Sequence, residues 1–222
     1  MKAVFFDFDG TLTQKSGNIW RSIWSALGYE LGEGSEYRQQ LQDYLSHKIS
    51  YQEWCDMTCV AYRSKAMTGD ILGKLIGDIH LLHGVEETLQ QLRENGYSLH
   101  IISGNIVDVI ERVLGQNTQY FDSINANDFI FDANNRLVNI QGTNYDFEGK
   151  AKFIQDYQKT TGASATDLYF VGNGGNDEWA HLSGCHTICI NPDDTDRDAE
   201  KWHYIIEKTN DLRDILPYII KE

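Results

Sequence analysis

Apolar positions along the chain fall into short runs that alternate with helical patterns. The chain begins with an apolar, aromatic-rich run at residues 3–8, and further runs of strand length lie at 97–102, 168–171 and 187–190. Between the later runs, apolar residues recur at the spacing of an amphipathic helix. Strands that alternate with helices are typical of a mostly parallel sheet covered by helices. The pattern therefore predicts an α/β fold.

Other segments complete the α/β pattern towards the end of the chain. Residues 128–140 are predicted as a β-hairpin, because two apolar groups flank the polar turn 132–135. A further strand is expected near 204–206 and a closing helix near 212–219.

The stretch between the first strand and the rest of the α/β pattern is purely helical in character. The four predicted helices cover residues 19–27, 37–45, 50–62 and a segment that starts near Thr68. The third helix opens with a capping box formed by Ser50 and Glu53. We therefore predict a small all-helical cap at 14–81, placed over the carboxyl edge of the sheet, and a core domain at 1–13 and 82–222.

The cap contains three tryptophans, at positions 20, 24 and 54. We interpret them as the core of the small helical bundle, the more common role of aromatic residues, in preference to a ligand box. The cap arginines at 21, 38 and 63 are expected on solvated helix faces, although one of them could close over an anion.

Two carboxylates lie where the first strand leaves the sheet. Asp7 and Asp9 share one face of the strand and Phe8 faces the other, because side chains alternate along a strand. Open α/β sheets bind ligands at this carboxyl edge. Gly10 then allows a sharp turn. Taken alone, the segment also fits an ordinary polar strand end.

Two further segments could bind an anion. Ser103, Gly104 and Asn105 follow the second strand and precede a helix, whose free N–H groups would face an anion. Lys150 stands at another junction between a loop and a helix. Each segment is a weak signal alone, since the first also fits a turn with a helix cap and the second a solvent lysine.

The third apolar run ends in a glycine-rich turn at residues 172–177. This arrangement is typical of a phosphate-binding turn. A dinucleotide fingerprint would need a glycine where Asp177 stands, and a carboxylate there would repel a pyrophosphate but suit a metal.

Together these segments indicate phosphoryl transfer. Oxygen ligands suited to Mg²⁺ come from Asp7, Asp9, Asn173 and Asp177. Positive charge and hydrogen-bond donors come from Lys150 and the segment at 103–105. A metal beside a cationic cradle neutralises a transferring phosphoryl group.

Composition narrows the possible partners. The sequence has 222 residues with 33 acidic against 19 basic side chains, a formal net charge of −14 that argues against nucleic acid and anionic membranes as partners. We expect no leader before the first strand, and no apolar run approaches the ~18 residues of a membrane span.

The four cysteines form two pairs in the sequence. Cys55 with Cys59 and Cys185 with Cys189 lack the spacing of zinc or redox motifs. We expect a cytoplasmic protein with free thiols and an unknown oligomeric state.

Four segments, in this order along the chain, resemble the four motifs of the haloacid dehalogenase (HAD) superfamily: Asp7-Phe8-Asp9-Gly10-Thr11-Leu12-Thr13, Ser103-Gly104, Gly149-Lys150 and Gly172-Asn173-Gly174-Gly175-Asn176-Asp177. The helical insert, the hairpin and the end of the chain further resemble the phosphoserine-phosphatase-like branch. The resemblance implies a three-layer Rossmann-like core with a helical cap, Mg²⁺ as cofactor and a small phosphorylated metabolite as substrate.

The resemblance also implies a role for each motif residue. Asp7 would be the nucleophile, and Asp9 the general acid and then the base. The phosphoryl oxygens would be held by Ser103, Gly104, Lys150 and Thr11. The metal would be held by Asp7, the Asp9 backbone carbonyl, Asn173 and Asp177.

Two departures from the superfamily pattern affect the expected activity. Asn173 stands where an aspartate usually binds the metal, so we expect weaker Mg²⁺ binding or lost catalysis. True phosphoserine phosphatases have a glutamate shortly after the first motif, where this chain has the segment 14–16. They also have an arginine on a later cap helix, near the position of Thr58. Both differences argue against phosphoserine as the substrate.

The main hypothesis is therefore a Mg²⁺-dependent phosphomonoesterase that acts on a small metabolite. A catalytically silent binding protein is the leading alternative, motivated by Asn173. Other chemistry on the same core, such as phosphonate cleavage or mutase transfer, is also open. Asp9 argues against dehalogenation, because a halide leaving group needs no proton.

Overall fold

The computed structural model describes residues 1–14, 22–192 and 198–220. Its centre is a seven-stranded sheet with the order β4-β3-β2-β1-β5-β6-β7. The strands are β1 (Lys2–Phe6), β2 (Tyr97–Ile106), β3 (Ser123–Phe131), β4 (Leu137–Gln141), β5 (Leu168–Gly172), β6 (His186–Ile190) and β7 (Tyr204–Ile206). Every neighbouring pair is parallel except β3 and β4, which form the predicted hairpin at one edge. The predicted α/β fold is confirmed.

Helices cover both faces of the sheet. The α-helices are α1 (Ile23–Glu30), α2 (Gly34–Leu45), α3 (Tyr51–Ser64), α4 (Gly69–Ile76), α5 (Val85–Glu94), α6 (Val107–Leu114), α7 (Glu148–Thr161) and α8 (Leu216–Ile219). Val4 and Phe6 of β1 share one hydrophobic cluster with α5 and α6, whereas Ala3 and Phe5 share another with α7. The alternation of side chains along β1 thus contributes to both layers of a three-layer fold.

The insert between β1 and α5 is helical in its described part, as predicted. Residues 19–21 of the first predicted helix, with Trp20 and Arg21, lie outside the described residues. The expected stop at Gly28 was wrong, because α1 continues to Glu30. Gly28 is buried, and a Cβ on it would lie 3.6 Å from Tyr37 Cβ, which is an ordinary van der Waals contact.

The third helix of the insert begins with the predicted capping box. Ser50 Oγ accepts a hydrogen bond from the Glu53 N–H at 3.2 Å, and the Ser50 N–H donates to Glu53 Oε2 at 2.7 Å. The box satisfies two N–H groups that the first helical turn leaves without partners.

Three boundaries differ from the sequence prediction. β2 continues to Ile106 with a shift of register against β3, so residues 103–105 form an irregular part of the strand and are not a free turn. After β5 the chain forms only a short 3₁₀ helix, Glu178–Ser183. The closing segment is a 3₁₀ helix at Leu212–Ile215 followed by α8, because Pro217 lacks an N–H and fits only the first turn of an α-helix.

The helical insert packs directly on the core. One continuous hydrophobic cluster contains Trp24, Trp54 and Tyr62 of the insert together with Phe129 of β3 and Ile110 of α6. The two tryptophans are buried in this cluster, as predicted for the core of the bundle. Arg38 and Arg63 are exposed, as predicted.

The two chain crossings between insert and core lie side by side. Thr13 and Leu81 form an antiparallel bridge, and the Gln14 N–H donates to the His80 carbonyl at 2.8 Å. The Leu82 N–H then donates to the carbonyl of Leu12 at 2.9 Å. The insert is thus joined to the core through a small paired segment.

Two further findings concern sequence features outside the site. Within the described parts of the chain, none of the helices combines the length and apolarity that crossing a bilayer requires. All four cysteines are buried thiols outside disulfide bonds, as expected.

Candidate active site

The candidate site lies where three neighbouring strands, β1, β2 and β5, reach their carboxyl ends. Asp7 follows β1 directly, and its N–H donates to the carbonyl of Val171 in β5 at 2.9 Å. Asp177 stands in the loop after β5, and Ser103 in the irregular part of β2. The strand order therefore brings three of the four predicted motif segments to one edge of the sheet.

Lys150, near the start of α7, completes the group. Its Nζ lies 2.8 Å from Asp7 Oδ1 and also contacts Asp177 Oδ1. The side chain is fully buried. Burial lowers the pKa of an ammonium group, but the carboxylates of Asp177 and Asp7 outweigh burial and hold the pKa of Lys150 above its ordinary value. Lys150 is therefore a charged group that pairs with two carboxylates.

Asp7 lies in a strongly negative environment. Burial raises the pKa of the Asp7 carboxyl, and repulsion from Asp177 raises it further. The charge of Lys150 acts in the opposite direction. The positive charge of one ammonium group is thus shared between two buried carboxylates.

Asp9 is half-buried beside Asp7 and is held by a residue of β2. Its Oδ2 accepts a hydrogen bond from Asn105 Nδ2 at 2.9 Å. Burial raises the pKa of the Asp9 carboxyl to about 6, while the Asn105 hydrogen bond and the Lys150 charge lower it. A carboxyl group with such a pKa can carry or release a proton near neutral pH.

Asn173 lies against the turn that follows the first strand. Gly10 adopts a left-handed conformation with φ of 71°, and a Cβ on it would lie 3.0 Å from Asn173 Cγ. Only glycine fits this turn, because a side chain would displace the Asn173 amide. The amide is therefore held next to the segment that contains Asp9.

Asp177 is fixed by its own loop. Its Oδ2 accepts hydrogen bonds from the N–H groups of Asn173 and Gly174 at 2.8 and 3.0 Å, and its Oδ1 contacts Lys150. Both oxygens of this carboxylate thus have partners. Its predicted role as a direct metal ligand stays a prediction, whereas its role in orienting Lys150 and the Asn173 backbone follows from these bonds.

The predicted phosphate-binding residues border the same carboxylates. Ser103 is buried, and its Oγ accepts from the Asn105 N–H at 3.2 Å. The Thr11 hydroxyl is fully buried and has no hydrogen-bond partner among the described residues. A buried hydroxyl without a partner costs stability unless a ligand satisfies it. Contact between Thr11 and a bound phosphate stays a prediction.

The Gly104 carbonyl connects the site to the helical insert. It accepts hydrogen bonds from Trp24 Nε1 and from Asn127 Nδ2, both at 2.7 Å. Asn127 also lies 2.8 Å from the Tyr51 hydroxyl of α3, and its Oδ1 accepts from the Thr143 N–H at 3.1 Å. Asn127 thus joins the predicted phosphate-binding segment, the insert and the loop before α7.

Sequence reasoning missed a fourth acid at the site. Asp146 lies so close to Gly104 that a Cβ on the glycine would be 2.8 Å from Asp146 Cγ. Asn176 Nδ2 donates to Asp146 Oδ1 at 2.8 Å. The position of Asp146, four residues before Lys150, is the only signal for it in the sequence.

The donors at the site fit a divalent cation. Asp7, Asp9 and Asp177 bring three carboxyl groups to the site, and Lys150 pairs with two of them. Mg²⁺ binds hard oxygen atoms such as carboxylate, amide and carbonyl oxygens. In the described ranges, no three His, Cys, Asp or Glu side chains form a metal cluster by themselves. The predicted ligand set differs from such a cluster because it includes the Asn173 amide and a backbone carbonyl.

Gln14 and Thr58, two of the positions compared with phosphoserine phosphatases, form hydrogen bonds within the chain. Gln14 donates through Nε2 to the Leu81 carbonyl at 3.0 Å, and residues 15 and 16 lie outside the described residues. Thr58 is buried within the insert, where its hydroxyl donates to Gln40 Oε1 at 3.2 Å. Thr58 is therefore part of the packing between α2 and α3.

Comparisons with known proteins identify the family of this chain. A family model described as haloacid dehalogenase-like hydrolase matches residues 4–177. Phosphoserine phosphatase of Methanocaldococcus jannaschii is 26% identical over 223 residues, which cover 98% of this chain and 97% of that protein. A probable phosphoserine phosphatase of Schizosaccharomyces pombe is 26% identical over 176 residues, which cover 79% of this chain but only 56% of that protein. The chain thus spans little more than half of the latter relative.

Solved structures show the same fold. A phospho-aspartyl intermediate analogue of phosphoserine phosphatase aligns with a TM-score of 0.72 at 23% identity and covers 99% of both chains. At this level of identity the structural likeness establishes the fold, and the family model covers well over half of the sequence. The chain belongs to the haloacid dehalogenase-like hydrolase family.

Proposed function

We propose that this protein is a Mg²⁺-dependent phosphatase of the cytoplasm that hydrolyses small phosphomonoesters through an aspartyl-phosphate. The observation that carries the proposal is the position of Asp7, a buried carboxylate held at 2.8 Å from the Lys150 ammonium, with Asp9 two residues away. A nucleophile, a cation and a carboxyl with a raised pKa are the groups that phosphoryl transfer through an enzyme carboxylate requires.

In the first step, an Asp7 oxygen attacks the phosphorus atom. The bond from Asp7 to phosphorus forms while the bond from phosphorus to the leaving oxygen breaks. Asp9 gives its proton to the leaving oxygen, which departs as an alcohol. Lys150, Ser103, Thr11 and the Gly104 N–H hold the phosphoryl oxygens.

In the second step, water releases the phosphate. The Asp9 carboxylate accepts a proton from a water molecule, whose oxygen attacks phosphorus as the bond to Asp7 breaks. Inorganic phosphate leaves, Asp7 is again a carboxylate and Asp9 is again protonated. The two steps consume one ester and one water molecule.

The groups that would hold Mg²⁺ are the Asp7 carboxylate, the Asp9 carbonyl and the Asn173 amide. Asp177 would orient Asn173 by accepting the hydrogen bond of its backbone N–H. The cation would neutralise negative charge on the phosphoryl oxygens during transfer. The helical segment 14–81 would act as the cap that covers this site, above the core formed by 1–13 and 82–222.

The substrate is proposed to be a small phosphomonoester without a second anionic group near the phosphate. Asp146 lies beside Gly104 at the phosphate-binding segment, and like charges repel at short range. Thr58, the position compared with the substrate-binding arginine, faces Gln40 within the insert. Relatives named phosphoserine phosphatase support the reaction class, and these two positions argue against phosphoserine as the preferred substrate.

The test is phosphate release from a panel of phosphomonoesters. The panel contains phosphoserine, amino-alcohol phosphates, sugar phosphates and p-nitrophenyl phosphate, each with Mg²⁺ and with a chelator. We expect Mg²⁺-dependent release that Asp7→Asn abolishes, and formation of a phosphorylated protein whose added mass maps to Asp7.

A folded protein that releases no phosphate from any ester at high Mg²⁺ would contradict the proposal. Binding of the same esters without turnover would then favour the second candidate, a catalytically silent binding protein, which Asn173 in the metal position motivates.

A further inference from the structure

Asn105 is fixed by hydrogen bonds on every side. It is 1% exposed, its side-chain Oδ1 accepts from the Ile106 N–H at 2.5 Å, and its backbone carbonyl accepts from Asn127 Nδ2 at 3.2 Å. Its own N–H donates to Ser103 Oγ at 3.2 Å. Because Oδ1 is the atom that meets an N–H, Nδ2 must be the atom that faces Asp9.

The fixed amide sets the orientation of the Asp9 carboxyl. Asn105 Nδ2 donates to Asp9 Oδ2 at 2.9 Å. Among the described residues, no hydrogen bond to the other side-chain oxygen, Oδ1, is formed. The carboxyl group thus has one oxygen held by the protein and one available to a substrate or water.

We infer that Asn105 is a positioning residue for Asp9, which it holds with one carboxyl oxygen turned towards the leaving group of the substrate. The inference rests on the proposed function, because it concerns how well Asp9 transfers a proton. Asn105 lies in the irregular part of β2, beside the end of β1, because β1 and β2 pair in parallel.

Positioning of a general acid has a kinetic signature that a structural role lacks. An alkyl phosphate releases a strongly basic alkoxide, which needs the proton from Asp9 as the phosphorus–oxygen bond breaks. p-Nitrophenyl phosphate releases a weakly basic phenolate, which can leave without it. Since kcat/KM covers only the steps up to the departure of the leaving group, it isolates this effect from the later attack of water.

The experiment compares kcat/KM for the best alkyl phosphate of the panel and for p-nitrophenyl phosphate in two variants. Asn105→Ala removes both side-chain hydrogen bonds, whereas Asn105→Asp keeps the size and the acceptor for the Ile106 N–H but loses the donor. We expect a loss of about 10- to 100-fold with the alkyl ester, part of the usual contribution of a general acid, and less than about threefold with the aryl ester.

The matched control is Asn125→Ala. Asn125 is a partly buried asparagine of β3 whose Nδ2 donates to the Ile101 carbonyl at 2.9 Å and to Ser123 Oγ at 2.8 Å. Asn125→Ala also removes two side-chain hydrogen bonds, one to β2 and one within β3, but Asn125 does not hydrogen-bond to Asp9. We expect similar changes for both substrates in this variant.

Equal losses for both esters in Asn105→Asp, or no loss for the alkyl ester, would overturn the inference. Melting temperatures of all variants show whether each is folded, and Asn105→Asp decides the outcome if Asn105→Ala fails to fold. A wild-type protein without activity would instead refute the proposed function, so the two failures are distinguishable.

Discussion

Asn173 gives the candidate metal site one negative charge fewer than the aspartate that the superfamily pattern has at this position. Its amide lies against Gly10, beside the segment that contains Asp9, and offers a neutral oxygen to a cation. Asn173→Asp should therefore lower the Mg²⁺ concentration for half-maximal activity by about tenfold, which corresponds to roughly 1.4 kcal/mol. The same variant should show a larger rise in melting temperature when Mg²⁺ is added.

The control for added charge is Asn134→Asp, in the exposed turn between β3 and β4. This variant should leave the Mg²⁺ dependence unchanged. An unchanged Mg²⁺ dependence in Asn173→Asp as well would mean that position 173 does not contact the metal.

The raised pKa of Asp9 makes stability depend on pH in metal-free solution. Burial moves this pKa from 3.8 to about 6, so the folded state favours the protonated carboxyl. The resulting stabilisation is complete below the unfolded pKa and is lost as the pH rises through about 6. Asp9→Asn, which does not titrate, should gain up to about 3 kcal/mol relative to wild type between pH 4 and pH 7.

The measurement is urea unfolding in the presence of a chelator at several pH values. Glu111→Gln, which removes one exposed negative charge on α6, controls for the change in net charge. A free-energy difference between Asp9→Asn and wild type that stays constant with pH would contradict the raised pKa.

Some site residues could be predicted because the chain direction alone fixes their position. Asp7 follows a strand and Lys150 stands near the start of a helix, so both point to the same edge of a parallel sheet. Asn127 and Asp146 act only through contacts with residues distant in sequence, such as Tyr51 and Gly104. No local pattern in the sequence encodes such contacts.

At the scale of elements, the helical insert and the sheet meet through a few specific hydrogen bonds. The Tyr51 hydroxyl of α3 lies 2.8 Å from Asn127 Nδ2, and Asn127 in turn holds the Gly104 carbonyl. The sequence predicted the elements themselves from their periodicity. It did not predict the extension of β2 to Ile106, because the shift of register depends on the neighbouring strand β3.

Tyr51→Phe removes this connection with almost no change in volume. We expect a loss of about 1 kcal/mol in the free energy of unfolding and a fall of severalfold in kcat/KM, because Asn127 loses a partner next to the phosphate-binding segment. Denaturant unfolding and steady-state kinetics provide the two readouts.

Tyr97→Phe is the matched control for this change. Its hydroxyl donates to the Ile219 carbonyl at 2.9 Å, away from the site. The control should lose comparable stability without a change in kcat/KM, and an equal fall in kcat/KM for both variants would show that the Tyr51 effect is a general result of destabilisation.

At the scale of the whole molecule, the insert and the core share one hydrophobic interior. Phe129 of β3 packs with its ring centroid 5.2 Å from that of Trp24 and 6.4 Å from that of Tyr62, both in the insert. Buried apolar area that spans two chain segments couples their stabilities, because neither segment can unfold without exposing the other. We therefore expect the insert and the core to unfold in a single cooperative transition.

Phe129→Ala tests this coupling. The side chain is 4% exposed, so its truncation should cost about 3–5 kcal/mol. Native-state hydrogen exchange of amides in α3, within the insert, and in β5, in the centre of the sheet, reports the stability of the two parts separately. If the insert and the core unfold together, Phe129→Ala lowers the exchange free energy of both sets of amides by the same amount. Because β5 does not contact the substituted ring, a decrease in β5 can come only from this coupling. A decrease confined to α3 would show instead that the insert opens by itself, and the cap could then admit a substrate without disturbing the sheet that holds Asp7.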